Sequence, residues 1–260
     1  MPTLSYDLHV HPGPSAAPRW GNGARVWRAA AEAGVRGFVW KSHEEHTLAR
    51  CRELPREPVR AIASASLNSW SSFEDVTAAI EDGALWLWGP TQTERAEMGW
   101  ELPLPRDWER VAGWLAGLEQ PLVLATGHLG ARGRAAFAEL AAEHEHLVCS
   151  ITHLLYVPLE EALALAALGC AFEIDAFTYN FDVDSRERAD AYGHVSGLRA
   201  NGALVYFTSD GGQASTGNPF VFGARVLDGL AQQLGEETAF ALGVANPAAL
   251  VERLDLARSS

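Results

Sequence analysis

Lysine is nearly missing from this chain: of 20 basic residues, 19 are arginine and one, Lys41, is lysine. Cysteine is almost as scarce. Cys51, Cys149 and Cys170 are scattered and form no CxxC, which excludes a disulfide framework and leaves packed free thiols as the expectation. No apolar run approaches the roughly 20 residues that span a bilayer, so no membrane partner is expected. The opening residues, MPTLSYDLHVH, show no basic start, apolar segment or small-residue cleavage site, and the chain reads as cytoplasmic. Positive charge is in deficit: 33 acidic residues bring the formal net charge to −13. That balance opposes a phosphate backbone, so nucleic acid is not an expected partner.

What is present is a rhythm. Short apolar runs cover Leu4–Val10, Gly37–Trp40, Val59–Ser66, Ala84–Trp88, Pro121–Thr126, His146–Ile151, Ala171–Ile174 and Ala203–Thr208. Several are apolar on successive residues, as parallel strands buried on both faces must be. Between them, segments such as Ala24–Ala33, Trp108–Leu118, Arg132–Glu143 and Leu159–Leu168 carry apolar residues at helical spacing. Eight strand-like runs alternating with helices predict an α/β fold, a (β/α)8 TIM-type barrel forming one domain over residues 1–260. The rival, a doubly wound open sheet, calls for a Gly-rich phosphate turn after its first strand. Here the first run ends in His9-Val10-His11-Pro12-Gly13-Pro14, which is no such turn.

Catalytic residues of such barrels come from the C-terminal ends of the strands. The first run ends with His9 and His11, the second with Lys41 and His43, the fifth with His128, the sixth with His153, and the eighth with Ser209-Asp210; the seventh carries Glu173 and Asp175. Residues two apart in a strand share a side, so His9 and His11 can hold one cation. Imidazole with carboxylate suits zinc first, with iron or manganese as alternatives. Each residue also has a plainer reading. Lys41 could be ion-paired with Glu44, Glu45 or Asp7, and Glu173 could be a hydrogen-bonded interior acid. Asp175 is a candidate to orient a ligand, and His46 reads as a surface residue. Burial of Lys41 would lower its pKa and leave a usable neutral amine. Trp20, Trp40, Trp86, Trp88 and Trp100 read as core or mouth-lining aromatics, a few of them walling a substrate pocket.

These motifs resemble the amidohydrolase superfamily, in its phosphotriesterase-like and TatD-like branch. Asp7-Leu8-His9-Val10-His11 resembles the first-strand HxH, His128 and His153 the fifth- and sixth-strand ligands, and Asp210 the eighth-strand aspartate. Ala245-Asn246-Pro247-Ala248-Ala249-Leu250 resembles the superfamily's terminal helix. A group of metal-dependent hydrolases with Lys-x-His after strand two and Ser-Asp-x-Gly-Gln after strand eight is similar in Lys41-Ser42-His43 and Ser209-Asp210-Gly211-Gly212-Gln213. The polymerase-and-histidinol-phosphatase family is a weaker match, because it ends strand eight in Asp-x-His. The chain also departs from the two-metal pattern, since Leu85–Thr91 offers no bridging lysine or glutamate.

The resemblance implies a small-molecule hydrolase in which a metal-activated water cleaves an amide, lactone or ester. His9, His11 and Asp210 would hold one divalent metal, His128 and His153 a second. Lys41 would bridge them as a carbamate, with Glu173 as the other bridging candidate and a single metal without a bridge as the third arrangement. Asp210 would act as general base and then acid, and His43 would orient substrate or add a ligand. A phosphoesterase with the same metal site is the alternative, as is a lyase, cyclase or metal-binding pseudoenzyme on the same fold. Exposed outer helices also fit a homodimer.

Overall fold

The structure is a computed structural model and describes residues 4–94, 97–182 and 185–259. Its elements run β1 (Tyr6–Val10), α1 (Gly23–Glu32), β2 (Gly37–Trp40), α2 (Leu48–Arg52), β3 (Arg60–Ile62), β4 (Ser64–Ser66), α3 (Phe73–Glu81), β5 (Trp86–Trp88), β6 (Gln92–Glu94), β7 (Glu97–Met98) and α4 (Trp108–Ala116). They continue with β8 (Leu122–Ala125), α5 (Ala131–Glu143), β9 (Leu147–Ile151), α6 (Leu159–Ala167), β10 (Ala171–Asp175), α7 (Ser185–Ala200), β11 (Leu204–Thr208), α8 (Pro219–Leu234), α9 (Glu236–Phe240) and α10 (Asn246–Ser259).

Parallel pairing gives the orders β1-β2-β3 and β11-β10-β9-β8-β5-β4. β3 and β4 are two halves of one strand of the ring, interrupted at Ala63, where the sequence suggests a continuous run. At the other seam, β11 meets β1 through a single parallel bridge, Val10 to Gly211, and the His11 N–H donates to the Gly211 carbonyl at 2.8 Å. Buried Asp7 pins the same seam by accepting the Ser209 N–H at 3.0 Å. The result is the TIM-type barrel that the sequence predicts. A β6–β7 hairpin is added above the mouth, which the sequence rhythm does not show.

Two local features decide where side chains point. Register along β1 advances from Asp7 opposite Phe38 to Val10 opposite Trp40, three steps against two, so β1 carries a bulge. Bulges re-aim side chains. Before it, Tyr6 and Leu8 join the apolar filling of the barrel; after it, His9 and His11 line the mouth cavity. At the opposite end, Leu250, Val251 and Leu254 of α10 close the N-terminal ends of the strands against Tyr6, Leu85 and Trp86. Burying each such leucine contributes about 1.5–3 kcal/mol. The outer helices pack their apolar faces on the strands, as in the stacking of Trp108 on Phe137 with centroids 4.7 Å apart. Asn22 and Asn218 cap α1 and α8 by accepting backbone N–H groups of their first turns. No helix among the described residues is long and apolar enough to cross a membrane.

Candidate metal centre

The strand ends bring His9, His11, Lys41, His43, His128, His153 and Asp210 to one cavity of about 420 Å³. Five imidazoles follow one another across it. Ring centroids are 4.6 Å apart from His43 to His11, 5.0 Å from His11 to His9, 5.5 Å from His9 to His153, and 5.2 Å from His153 to His128. Spacing along the sequence could not show that order; closure of the ring of strands produces it.

Four of the five rings are held by the same nitrogen. His9 Nδ1 lies 2.7 Å from Glu173 Oε1, His43 Nδ1 2.9 Å from Thr91 Oγ1, His128 Nδ1 2.6 Å from the Gly99 carbonyl, and His153 Nδ1 2.9 Å from Asp175 Oδ2. A carbonyl or ionised carboxylate oxygen can only accept, so at His128 and His153 the bonded Nδ1 is the donor, and at His9 it is the donor when Glu173 is ionised. Where the ring is neutral, this leaves the lone pair on Nε2. Metal-ligating histidines are oriented in this way. His9 Nε2 is buried without a hydrogen-bond partner, 3.4 Å from Asp210 Oδ1, and His11 Nε2 is 3.0 Å from the same oxygen. His9, His11 and Asp210 therefore present three donor atoms to one point.

The backbone around Asp210 is built for this position. Asp210 has φ of 42° and His153 φ of 54°, left-handed conformations that aspartate and histidine tolerate better than most residues. Gly212 has φ of 101°, and a Cβ there would come within 2.6 Å of the His11 carbonyl oxygen. Only glycine fits where the loop after β11 runs against the end of β1.

Electrostatics divide the site. Burial lowers His9 to about 3, with neighbouring cations contributing, and pushes His11, His43 and His128 well below the ordinary histidine range. These rings are neutral and able to bind metal. Burial also works against charge on His153, but Asp175, Asp210 and Glu173 outweigh it and raise the group to about 9. The anionic surroundings that favour that proton also favour a cation. Burial raises Asp210 to about 6 and Glu173 to about 8.

Lys41 is 1% exposed, its Nζ has no hydrogen-bond partner, and it sits 4.0 Å above the Trp88 ring. Burial lowers it to about 7. The ion pairs open to it in the sequence, with Glu44, Glu45 or Asp7, do not form. Glu173 reaches the cluster through His9: its Oε1 accepts from His9 Nδ1 and from Thr208 Oγ1 at 2.9 Å, while Oε2 has no partner. His153, Glu173 and Asp175 also lie close enough for a cation. There, however, both Asp175 oxygens are taken, by His153 Nδ1 and by the Thr178 N–H at 2.7 Å, so we read the group as orienting His153. His46 is exposed, and His144, His146 and His194 lie outside the cavity.

Sequence reasoning named Glu173 and Asp175 but missed the other two acceptors that hold the rings, Thr91 and the Gly99 carbonyl. Asn68 receives little attention in the sequence, yet it donates to the His43 carbonyl at 2.7 Å and accepts the Thr91 and Gln92 N–H groups. Gly99 acts through its carbonyl and leaves no side-chain signal. Trp100 is half exposed and stacks on His128, with centroids 3.9 Å apart.

A family of unknown function, DUF6282, matches residues 5–103. No curated protein matches the chain. Solved structures share the fold. A. niger ochratoxinase is 12% identical, with a TM-score of 0.61, over 95% of this chain and 70% of that one. An amidohydrolase from Burkholderia multivorans is 12% identical, with a TM-score of 0.58, over 95% and 98%. The phosphotriesterase homology protein from Escherichia coli, holding phosphate in its active site, is 14% identical, with a TM-score of 0.60, over 96% and 99%. The chain thus has the fold of amidohydrolase-type proteins.

Proposed function

We propose that this chain is a metal-dependent hydrolase of the amidohydrolase type that cleaves an amide, lactone or ester bond in a small molecule. One observation carries the reading. His9 Nε2, buried and without a partner, points with His11 and Asp210 at a common centre, while Glu173 holds the far side of the ring. A buried nitrogen with nothing to bind is costly, and a cation removes that cost.

His9, His11 and Asp210 would hold one divalent cation, zinc by the donor set, and His128 and His153 a second. When bound, such cations supply Lewis acidity toward a substrate oxygen and acidify water. Asp210 Oδ1 faces His9 and His11, leaving Oδ2 as the oxygen that takes a proton and returns it to the leaving group. Its position near pKa 6 suits both roles close to neutrality. His43, fixed by Thr91 and stacked on His11, orients the substrate. Lys41 has a neutral amine available at neutral pH. Addition of that amine to carbon dioxide, with release of one proton, gives the carbamate that would bridge the two cations.

Among the described residues Arg19 is the sole arginine lining the cavity, which favours carbonyl substrates over phosphoryl ones. The test is metal analysis of the purified protein, followed by a screen of amides, lactones, esters and phosphoesters with Asp210→Asn as control. Bound metal with amide, lactone or ester turnover lost in D210N supports the reading. Metal without turnover of any of these moves the chain to the lyase, cyclase or pseudoenzyme class, and turnover of phosphoesters alone makes it a phosphoesterase.

A further inference from the structure

The cavity has two unlike ends. At one, Arg19 lies on the loop between β1 and α1. It lines the cavity, its Nε is buried with no partner, and Nη2 donates to Ser15 Oγ at 3.2 Å. Among the described residues no carboxylate oxygen comes within 4.0 Å of the guanidinium, although Asp210 and Glu44 act on it from further away. A guanidinium is always charged and is seldom left unpaired when mostly buried. Its backbone is also fixed. Arg19 pairs with Gln213 in an antiparallel bridge, and the neighbouring Trp20 N–H donates to the Gly212 carbonyl at 2.8 Å. The side chain is held ready on two loops that also carry His11 and Asp210.

At the other end stands Trp100. It follows the β6–β7 hairpin after the fourth strand of the ring and stacks on His128 of the fifth, so it faces Arg19, between the first and eighth strands, across the mouth. Trp100 is 50% exposed, and Tyr156 lies 4.5 Å from it, centroid to centroid. An indole braced on one face by a cavity histidine and half exposed offers apolar surface on which a ligand group can pack.

We propose that the cavity takes a substrate with a single carboxylate at one end, paired by Arg19, and an aromatic or broad apolar group at the other, packed on Trp100. The scissile bond then spans His9, His11 and Asp210 between them. This deepens the hydrolase reading and rests on it for the position of the scissile bond. The anion is a carboxylate and not a phosphate. One guanidinium serves it, while Glu44 and Asp210 line the same cavity and would repel a second negative charge. Lys41 also lines the cavity, but it lies over Trp88 and is the residue assigned above to the carbamate, which is itself an anion.

The test is calorimetric binding of 3-phenylpropanoate, 3-phenylpropanamide, acetate and phenyl phosphate to zinc-loaded and metal-free wild type, Arg19→Gln, Arg19→Lys and Trp100→Ala, with zinc content measured on the same samples. Expected is tightest binding of 3-phenylpropanoate, weakened at least about tenfold in R19Q and partly restored in R19K. The amide binds more weakly and is indifferent to R19Q. W100A weakens 3-phenylpropanoate about three- to tenfold and leaves acetate unchanged. If R19Q and R19K bind 3-phenylpropanoate as wild type does, or phenyl phosphate binds tighter, or no carboxylate binds the zinc-loaded protein, the proposal is overturned. Failure to retain zinc sinks the hydrolase reading instead, and the metal-free samples still report whether Arg19 holds a carboxylate.

Discussion

The two ends of the barrel are made from the same eight strands and obey opposite rules. At the N-terminal end, Tyr6, Leu85, Trp86, Leu250 and Leu254 fill the space with apolar volume, and buried Tyr206 satisfies its hydroxyl on Ser150 Oγ at 2.6 Å, although Trp86 Nε1 is buried without a partner. At the C-terminal end, His9 Nε2, His11 Nδ1, Lys41 Nζ, Glu173 Oε2 and Arg19 Nε are all buried without a partner, and Asp210 and His153 adopt left-handed backbone. The first end is optimised for stability. The second holds buried polar groups that cost stability until something binds them. Mutations should therefore have opposite signatures at the two ends.

The sharpest contrast comes from Asp210→Asn. It keeps shape and removes the proton acceptor, so turnover should fall by roughly 10²–10⁴-fold while the melting temperature of the metal-free protein holds or rises. Steady-state kinetics and calorimetry on one preparation check both halves. At the closed end, Leu254→Ala should cost about 2–5 kcal/mol in denaturant unfolding and leave zinc affinity untouched. A matching loss of zinc affinity would show that the ends are not independent.

Smaller effects test the orienting groups. Glu173→Gln removes the carboxylate that holds His9, and zinc affinity should drop about 10- to 100-fold, read by competition with a chelating dye. In metal-free protein, Lys41→Met should stabilise by about 1–3 kcal/mol at pH 7, because it removes a buried amine that has no partner. The pH dependence fixes the sign. Unfolded, the amine titrates near 10.5; folded, burial lowers it to about 7. The folded chain then binds fewer protons across that window, so the lysine's penalty grows as pH falls from 10.5 to 7 and is constant below. Relative to wild type, K41M should gain stability over that window and show no further gain below pH 7. A difference that is flat from pH 7 to 10.5 would mean that Lys41 is solvated.

The contrast between the ends also explains what could be read in advance. Strands buried on both faces leave runs such as Leu122–Ala125 and Leu147–Ile151, and their rhythm yields the barrel. Polar residues that interrupt such runs at their ends, His128, His153 and Asp210, stand out for the same reason. The bulge in β1 was not legible, because no residue type marks it, yet it turns His9 and His11 into the mouth. Nor were the Gly99 carbonyl and the Thr91 hydroxyl, since any residue supplies a carbonyl and threonine is common. The buried, unpaired state of Arg19 was not legible either, because it is a property of two loops meeting.

The most direct test of the metal centre is an anomalous difference map at the zinc edge from crystals grown with zinc. The account requires a peak about 2.0–2.2 Å from His9 Nε2, His11 Nε2 and an Asp210 oxygen, with Glu173 still on His9 Nδ1. No peak at the mouth, or a peak held by other residues, would contradict it.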